Sequence, residues 1–371
     1  MTSYEIVGYG PHLKDEVAQL QRHLWSPDSG LNRRYLEWKY ERNPYFPEAH
    51  IYLARSGGRI VGMRGAVGTA WQVGTASEVV LVPSPDDFVV APEHRNSGVA
   101  ALIMQAVFAD LTAGGFEHVF SLSSGRVAAL SSLATGWKSA GAMEPVARLS
   151  RRRRIRADLE HQKLFWRLAP LLGDGVTSRR SFVRLDRAGH RLEARPGGTI
   201  SVERTPRPEA MAALIQRLDY DGRIRHVRDA AYFAWRFQNP LHEYRFLVFE
   251  SAERLEGYLV LRRYVSESAQ ASRTHIVDWE ASSASVRNEL LQVAIAHAGF
   301  AELGAWTGTL DEDSRRTLIQ SGFEPAEPTL RARGFPCVLV RPLGQADWTL
   351  HGRRLLDPGQ WDVRLLFSMR G

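Results

Sequence analysis

Two hydrophobic periods alternate along the chain, and the sharpest change between them falls from residue 86 to residue 115. Phe88 to Ala91 form a short apolar run of strand type that ends at Pro92. Further on, Val99, Leu102, Ile103, Ala106, Val107 and Leu111 recur at helical spacing until Gly114-Gly115 stops them. The pattern predicts a strand, a tight polar turn and a helix of about four turns. The turn reads Arg95-Asn96-Ser97-Gly98-Val99-Ala100. Gly98 and Ala100 keep side chains out of the way, so consecutive backbone N–H groups at a helix N-terminus can face an anion. Such a turn suits phosphate.

The rest of the chain runs through one pattern twice. A helical stretch from Lys14 to Trp25, with Val17, Leu20 and Leu24 on one side, leads to Tyr35-Leu36-Glu37-Trp38-Lys39-Tyr40-Glu41-Arg42-Asn43-Pro44. A second helical stretch, Glu209 to Leu218, leads to Tyr232-Phe233-Ala234-Trp235-Arg236-Phe237-Gln238-Asn239-Pro240. Each phrase enters an apolar strand (Ile51 to Ala54; Phe246 to Phe249), then a second strand around an x-Gly pair at Val61-Gly62 and Glu256-Gly257. Each half continues with a strand (His118 to Leu122; Leu303 to Thr307), a helix and a Gly-aromatic pair (Gly136-Trp137; Gly322-Phe323). Two copies of one α/β fold are the simplest account. In the second copy the place of the polar turn, after Asp278-Trp279-Glu280, reads Ala281-Ser282-Ser283-Ala284-Ser285-Val286-Arg287 and holds no Gly, so side chains there would crowd a pyrophosphate. Residues 1–147 are therefore expected to form the cofactor domain, and 148–198 a basic linker in which Leu159 to Leu172 reads as a helix. Residues 199–371 are expected to form a degenerate second copy, whose Pro-rich tail has strand-like runs at Cys337 to Val340 and Val363 to Phe367.

Composition adds bounds. With 371 residues, 44% of them hydrophobic and 24% charged, the chain reads as a globular protein of two domains. The one cysteine, Cys337, excludes an intramolecular disulfide and fits a reducing compartment. Met1 to Gly10 lacks the basic and apolar regions of a leader, and no apolar run approaches ~18 residues, so the expected location is cytoplasmic, with no transmembrane segment. The net charge of +7 is concentrated: Arg148, Arg151, Arg152, Arg153, Arg154 and Arg156 fall in one short run, and without them the body is nearly neutral. A solvated linker explains that run best, ahead of contacts with the phosphates of a cofactor, an anionic membrane surface or RNA, so nucleic acid is not the expected partner. His94, His118 and His190 show no ligand spacing, and no metal is expected. A Gly-x-Ser-x-Gly elbow, a Walker loop and an RNP-type aromatic pattern are all missing, which leaves hydrolase, kinase and RRM readings without support. The oligomeric state is not legible.

Arg95 to Ala100, with an apolar strand ending at Val90-Ala91-Pro92 before it and a helix after it, resembles the acyl-CoA-binding motif of the GNAT N-acyltransferase superfamily. That motif runs Arg or Gln, two residues, Gly, one residue, then Gly or Ala. The resemblance implies two GNAT-like mixed-sheet domains in tandem, the second degenerate, and a CoA-dependent N-acyltransferase, most simply an acetyltransferase. Acetyl-CoA or another acyl-CoA is the implied co-substrate, and the acceptor an amine of a small or sugar-linked metabolite. Arg95, Asn96, Ser97, Gly98, Val99 and Ala100 would hold the pyrophosphate. In the family the fourth strand splays from the fifth, the pantetheine lies between them, and fourth-strand amides hold the acyl carbonyl, which maps onto Val89 and Val90.

Acyl transfer to an amine also needs a route for protons. Here the chain departs from the family, because the usual Tyr before the Gly-aromatic pair is Ser132 and the usual Asn on that helix is Arg126. Ser132 is a poor acid. Asp87, with Glu78 and Asp86 as neighbours, is the candidate base, against the plainer reading of an Asp that starts a strand. Trp38 and Trp235, with Asp278 and Glu280, are candidates to line an acceptor cleft shared by both copies; Trp38, Lys39 and Asn43 read as core or loop-fixing residues before they read as acceptor ligands. Two other functions remain open on sequence: an aminoacyl-tRNA-dependent transferase of the tandem type, which the arginine run would serve, and a CoA-binding module without activity.

Overall fold

The computed structural model describes residues 3–123, 126–150, 182, 185–186, 192–194, 197–265, 273–326 and 337–368. The arginines from 151 to 156, the helix expected at 159–172 and Arg195-Pro196 lie outside the described residues.

The first copy begins with β1 (Glu5–Gly8), α1 (Lys14–Leu20) and α2 (Ser29–Leu36), which runs into a π-helical turn (Glu37–Glu41). Asp28 caps α2 by accepting the Gly30 and Leu31 N–H groups. Next come β2 (His50–Ser56), β3 (Arg59–Val73) and β4 (Glu78–Val90), which with β1 make an antiparallel meander in the order β1-β2-β3-β4. α3 (Val99–Ala113), β5 (His118–Ser123), α4 (Arg126–Ala134), β6 (Lys138–Ala142) and β7 (Pro145–Leu149) follow.

After β8 (Leu192–Ala194) the order returns in β9 (Gly198–Glu203) and α5 (Pro208–Arg217). A short strand, β10 (Ile224–His226), attaches to β3 of the first copy. α6 (Ala230–Arg236), β11 (His242–Ser251), β12 (Arg254–Tyr264), β13 (Arg273–Ala281), α7 (Ala284–His297), β14 (Glu302–Trp306), α8 (Glu312–Gln320) and β15 (Glu324–Pro325) complete the second copy. Its meander, β9-β11-β12-β13, matches the first. The x-Gly pairs have a packing reason in both. A Cβ on Gly62 would stand 2.8 Å from Ile103 of α3, and one on Gly257 2.7 Å from Val286 of α7, so each glycine lets the helix seat on the sheet.

The copies exchange their last strands. β7 follows β6 in sequence yet lies between β14 and β15 in the sheet of the second copy. In return β16 (Cys337–Pro342), from the tail, enters between β5 and β6 of the first. Cys337, Val338, Leu339 and Val340 are all buried, as a strand with neighbours on both sides requires. At roughly 1.5–3 kcal/mol for each large apolar side chain, this burial makes β16 part of the core. The tail then makes a small hairpin, β17 (Thr349–Leu350) with β18 (Arg353–Arg354), and β19 (Trp361–Asp362) beside β10.

At the centre stand the two tryptophans of the repeated phrase. Trp38 and Trp235 stack with ring centroids 4.9 Å apart at 12°. Each indole N–H donates to the other's backbone carbonyl at 2.7 Å, so the two copies meet about a local two-fold axis.

Candidate active site

The polar turn after β4 has the shape its sequence suggests. Asn96 (φ 62°) and Gly98 (φ 84°) both adopt the left-handed region, and Gly98 stands where α3 begins without any side chain capping that end. Among the described residues no acceptor takes the backbone N–H groups of Asn96 to Ala100. A Cβ on Gly98 would meet nothing within 4 Å, so the turn opens outward. The Arg95 Nε donates to the Val90 carbonyl at 3.2 Å, and the Tyr4 hydroxyl donates to the Ser97 Oγ at 2.9 Å. Four or five unsatisfied donors at a helix N-terminus make an anion cradle.

Beside the turn the first sheet comes apart. β4 pairs with β3 and β5 with β16, but no ladder joins β4 to β5 among the described residues. Ala91 donates its N–H to Val61 of β3 at 2.8 Å. By strand alternation the Val89 amide faces β3 as well, and the Val90 amide faces the open edge. Of the two residues expected to present amides there, Val90 does so and Val89 is turned inward.

A register shift bends β4 opposite Arg64. Asp87 lies at that bend with φ 54°, an uncommon conformation for a residue other than glycine. Its side chain is fully buried: Lys39 Nζ reaches Asp87 at 2.9 Å and Asp86 at 2.7 Å, and the Tyr40 hydroxyl donates to Asp87 at 3.0 Å. Lys39, itself fully buried, also donates to the Tyr35 hydroxyl at 3.1 Å. The π-helical turn explains how three consecutive residues, Trp38, Lys39 and Tyr40, all face inward at the end of α2. Burial, then the Asp87 and Asp86 carboxylates, push the Tyr40 phenol well above its ordinary value and keep it a neutral donor. The expectation of Asp87 as an exposed base is therefore corrected: it is sealed between Lys39 and Tyr40. Asp86, whose side chain is 26% exposed, borders a cavity of about 10 Å³ together with Ser84, Ser121, Phe367 and Ser368.

The second copy rebuilds the cluster with other residues. Arg228 binds Asp278 at 2.8 Å and Glu280 at 2.7 Å, the Tyr258 hydroxyl donates to Asp278 at 2.7 Å, and Arg364 meets Glu280 at 3.0 Å. All of these side chains are buried. This corrects the acceptor roles expected of Asp278 and Glu280, which are committed to arginines, and of Trp38 and Trp235, which are committed to each other. Ser132 is half-buried on α4, where its carbonyl accepts from Thr135 and Trp137. Arg126 begins that helix. Glu78 pairs with His351 at the opposite end of β4 from the turn. Lys39, Phe367 and Ser368 are the site residues the sequence hid. Lys39 had a signal, its place in the repeated phrase, whereas Phe367 and Ser368 had none. No group of His, Cys, Asp and Glu suited to a metal occurs among the described residues.

Residues 16–131 match the family model described as acetyltransferase (GNAT). Three solved structures share the fold. A probable N-acyltransferase from Enterococcus faecalis V583 aligns with TM-score 0.55 at 11% identity, over 92% of this chain and 73% of its own. A GCN5-related N-acetyltransferase from Anabaena variabilis ATCC 29413 gives 0.55 at 11% identity, over 91% and 72%. A tandem GNAT protein from the clavulanic acid biosynthesis pathway gives 0.53 at 12% identity, over 93% of this chain and 100% of its own. No match was found among curated proteins.

Proposed function

We propose, from the match of residues 16–131 to the acetyltransferase (GNAT) family model, that the chain is a CoA-dependent N-acyltransferase. Its simplest form moves an acetyl group from acetyl-CoA to an amine of a small or sugar-linked metabolite. The observation that carries this reading is the uncapped Gly98 turn placed next to the open edge of β4.

The pyrophosphate of an acyl-CoA would lie on the N–H groups of Asn96 to Ala100, with Arg95 at the rim, and its pantetheine arm would follow the edge of β4. The amine lone pair attacks the thioester carbonyl carbon, a C–N bond forms, and the carbonyl electrons move to oxygen, where the Val90 N–H meets the charge. Collapse breaks the C–S bond; the thiolate takes up one proton and the amine gives up another. Asp86, at the cavity between β4 and β5, is placed to receive the amine proton in the stead of the sealed Asp87.

The aminoacyl-tRNA alternative draws on arginines outside the described residues, and no observed feature adds to it. Adding acetyl-CoA at millimolar concentration is expected to raise the melting temperature, with one molecule bound per chain by calorimetry. Gly98→Trp, which fills the open turn, is expected to abolish the shift. A wild-type chain that responds to no acyl-CoA overturns the reading, and binding with no thiol release across an amine panel reduces it to a CoA-binding module.

A further inference from the structure

The tail of the chain ends its described course inside the first copy, and buried residues of the second hold it there. After β19 the backbone makes one 3-10 turn, Leu365–Phe367. Arg236 donates Nε to the Leu366 carbonyl at 2.8 Å and Nη2 to the Ser368 carbonyl at 2.9 Å, and Arg262 reaches the same Ser368 oxygen at 3.3 Å. Arg236 is the counterpart of Lys39 in the repeated phrase. The Phe367 ring packs edge-on against Trp71 (4.8 Å, 69°) and lies 5.9 Å from His226, while its far side borders the cavity between β4 and β5. A segment gripped this way is a fixed wall.

The other walls mix polar Ser84, Asp86 and Ser121 with apolar Val67 and Leu122. Ser84 and Asp86 come from β4 and Ser121 from β5, with the Ser121 hydroxyl 3.4 Å from the Pro85 carbonyl. Asp86 brings a carboxylate to this wall, held at 2.7 Å by Lys39, which also meets Asp87 at 2.9 Å. About 10 Å³ is room for roughly one water-sized group. A space of that size, with a carboxylate and two hydroxyls on its wall, suits the nitrogen of a primary amine and leaves none for a branch on the carbon next to it.

Resting on the acyltransferase reading, we infer that Phe367 and Ser368 are specificity-determining residues that close the acceptor end of the site and select amines unbranched at the carbon bearing nitrogen. The second copy thus acts on the substrate through the tail it clamps. Trp235 and Asp278 do not border the cavity.

The test uses the full chain and conjugates in which the CoA sulfur carries an N-alkylacetamide, so that one molecule spans the turn and the cavity whether or not turnover occurs. Wild-type protein is expected to bind the N-propyl conjugate about tenfold more tightly than the N-isopropyl one, the discrimination expected of one misplaced methyl group. Phe367→Ala is expected to bring the two within about twofold while acetyl-CoA affinity stays unchanged. Phe367→Leu, which keeps more of the packing against Trp71, serves as the second variant should the alanine fail to fold. A ratio unmoved in a folded variant that still binds acetyl-CoA overturns the wall and leaves the acyltransferase reading standing. Loss of all binding by the wild type overturns that reading first, and the wall with it.

Discussion

The two copies leave their fourth strands by turns of opposite character. In the first, α3 starts at Gly98 with φ 84° and no side chain answers its first N–H groups. In the second, α7 starts at Ser283 with φ −150°, and the Ser283 Oγ accepts the Val286 N–H. The neighbouring strands differ in the same sense: β13 and β14 join in a parallel ladder from Arg273 to His275, whereas β4 and β5 do not pair. The second copy caps the Val286 N–H at its turn and pairs the start of β13 with β14, two kinds of bond that the first copy lacks among the described residues. Fold and site are thus separable, since one meander and one helix placement support an open anion cradle in one copy and a closed turn in the other.

The largest effect should come from the buried ion clusters, which the copies build alike. Lys39→Met removes the ammonium that faces Asp87, and Arg228→Met removes the guanidinium from Asp278 and leaves Glu280 to Arg364. Breaking a buried pair from one side costs about 3–5 kcal/mol, so both variants should lose that much in urea unfolding. Burial alone would lower the Arg228 pKa, and the Asp278 and Glu280 carboxylates more than reverse this, so it is a permanent cation in the fold. The copies should part on function: Lys39→Met is expected to raise KM for the amine through Asp86, and Arg228→Met to leave it unchanged. A loss under about 1 kcal/mol in either would mean that the cluster is not what holds its copy together.

Acid sharpens the contrast next. His226 and His242 are both buried and held well below the ordinary histidine range, first by desolvation and then by arginines, Arg228 beside one and Arg262 and Arg236 beside the other. Below the unfolded pKa near 6.5 the unfolded chain takes up protons that the native state refuses, so their stability contribution is present above that pH and lost as pH falls. Each contributes a slope of about 1.4 kcal/mol per pH unit, or roughly 2 kcal/mol between pH 6.5 and 5. Burial, then Arg262 and Arg273, hold His275 down to about 3 as well. His226→Phe, set among Trp71, Tyr232 and Phe367, should therefore flatten the acid limb of the unfolding curve by about a third. An unchanged limb would place the sensitivity elsewhere.

What could be read from the sequence were local features with a geometric reason: the Gly98 turn, the x-Gly pairs and the phrase around Trp38 and Trp235. A positive φ or a close helix approach leaves glycine behind, and a duplicated fold leaves a duplicated phrase. The strand exchange left no such mark, because the apolar run at Cys337 to Val340 says that a strand is buried but not which sheet buries it. Asp278, Glu280 and Trp235 were placed beside a cleft for a related reason. Their position in the repeat is visible, but Arg228, 50 residues before Asp278 and outside any shared motif, is not recognisable as the partner of the two carboxylates, nor Trp38 as that of Trp235.

The smallest effect bears directly on the two turns. Gly98→Ala keeps the turn open, since nothing lies within 4 Å of the new Cβ, and adds only the strain of a left-handed alanine, about 1–2 kcal/mol. Ser283→Ala removes the cap on Val286 and costs about 1 kcal/mol. The two variants should therefore unfold at similar urea concentrations without ligand. With acetyl-CoA at 100 times its Kd the wild type gains about 2.7 kcal/mol, a gain that Ser283→Ala should keep in full and Gly98→Ala in part. The logic is that α7 spends its terminus on its own serine, whereas α3 holds its terminus ready for a ligand. Equal gains in the two variants would show that the conformation of Gly98 does not matter to the ligand. A lost gain in Ser283→Ala would show that the second turn, despite its cap, takes part in binding.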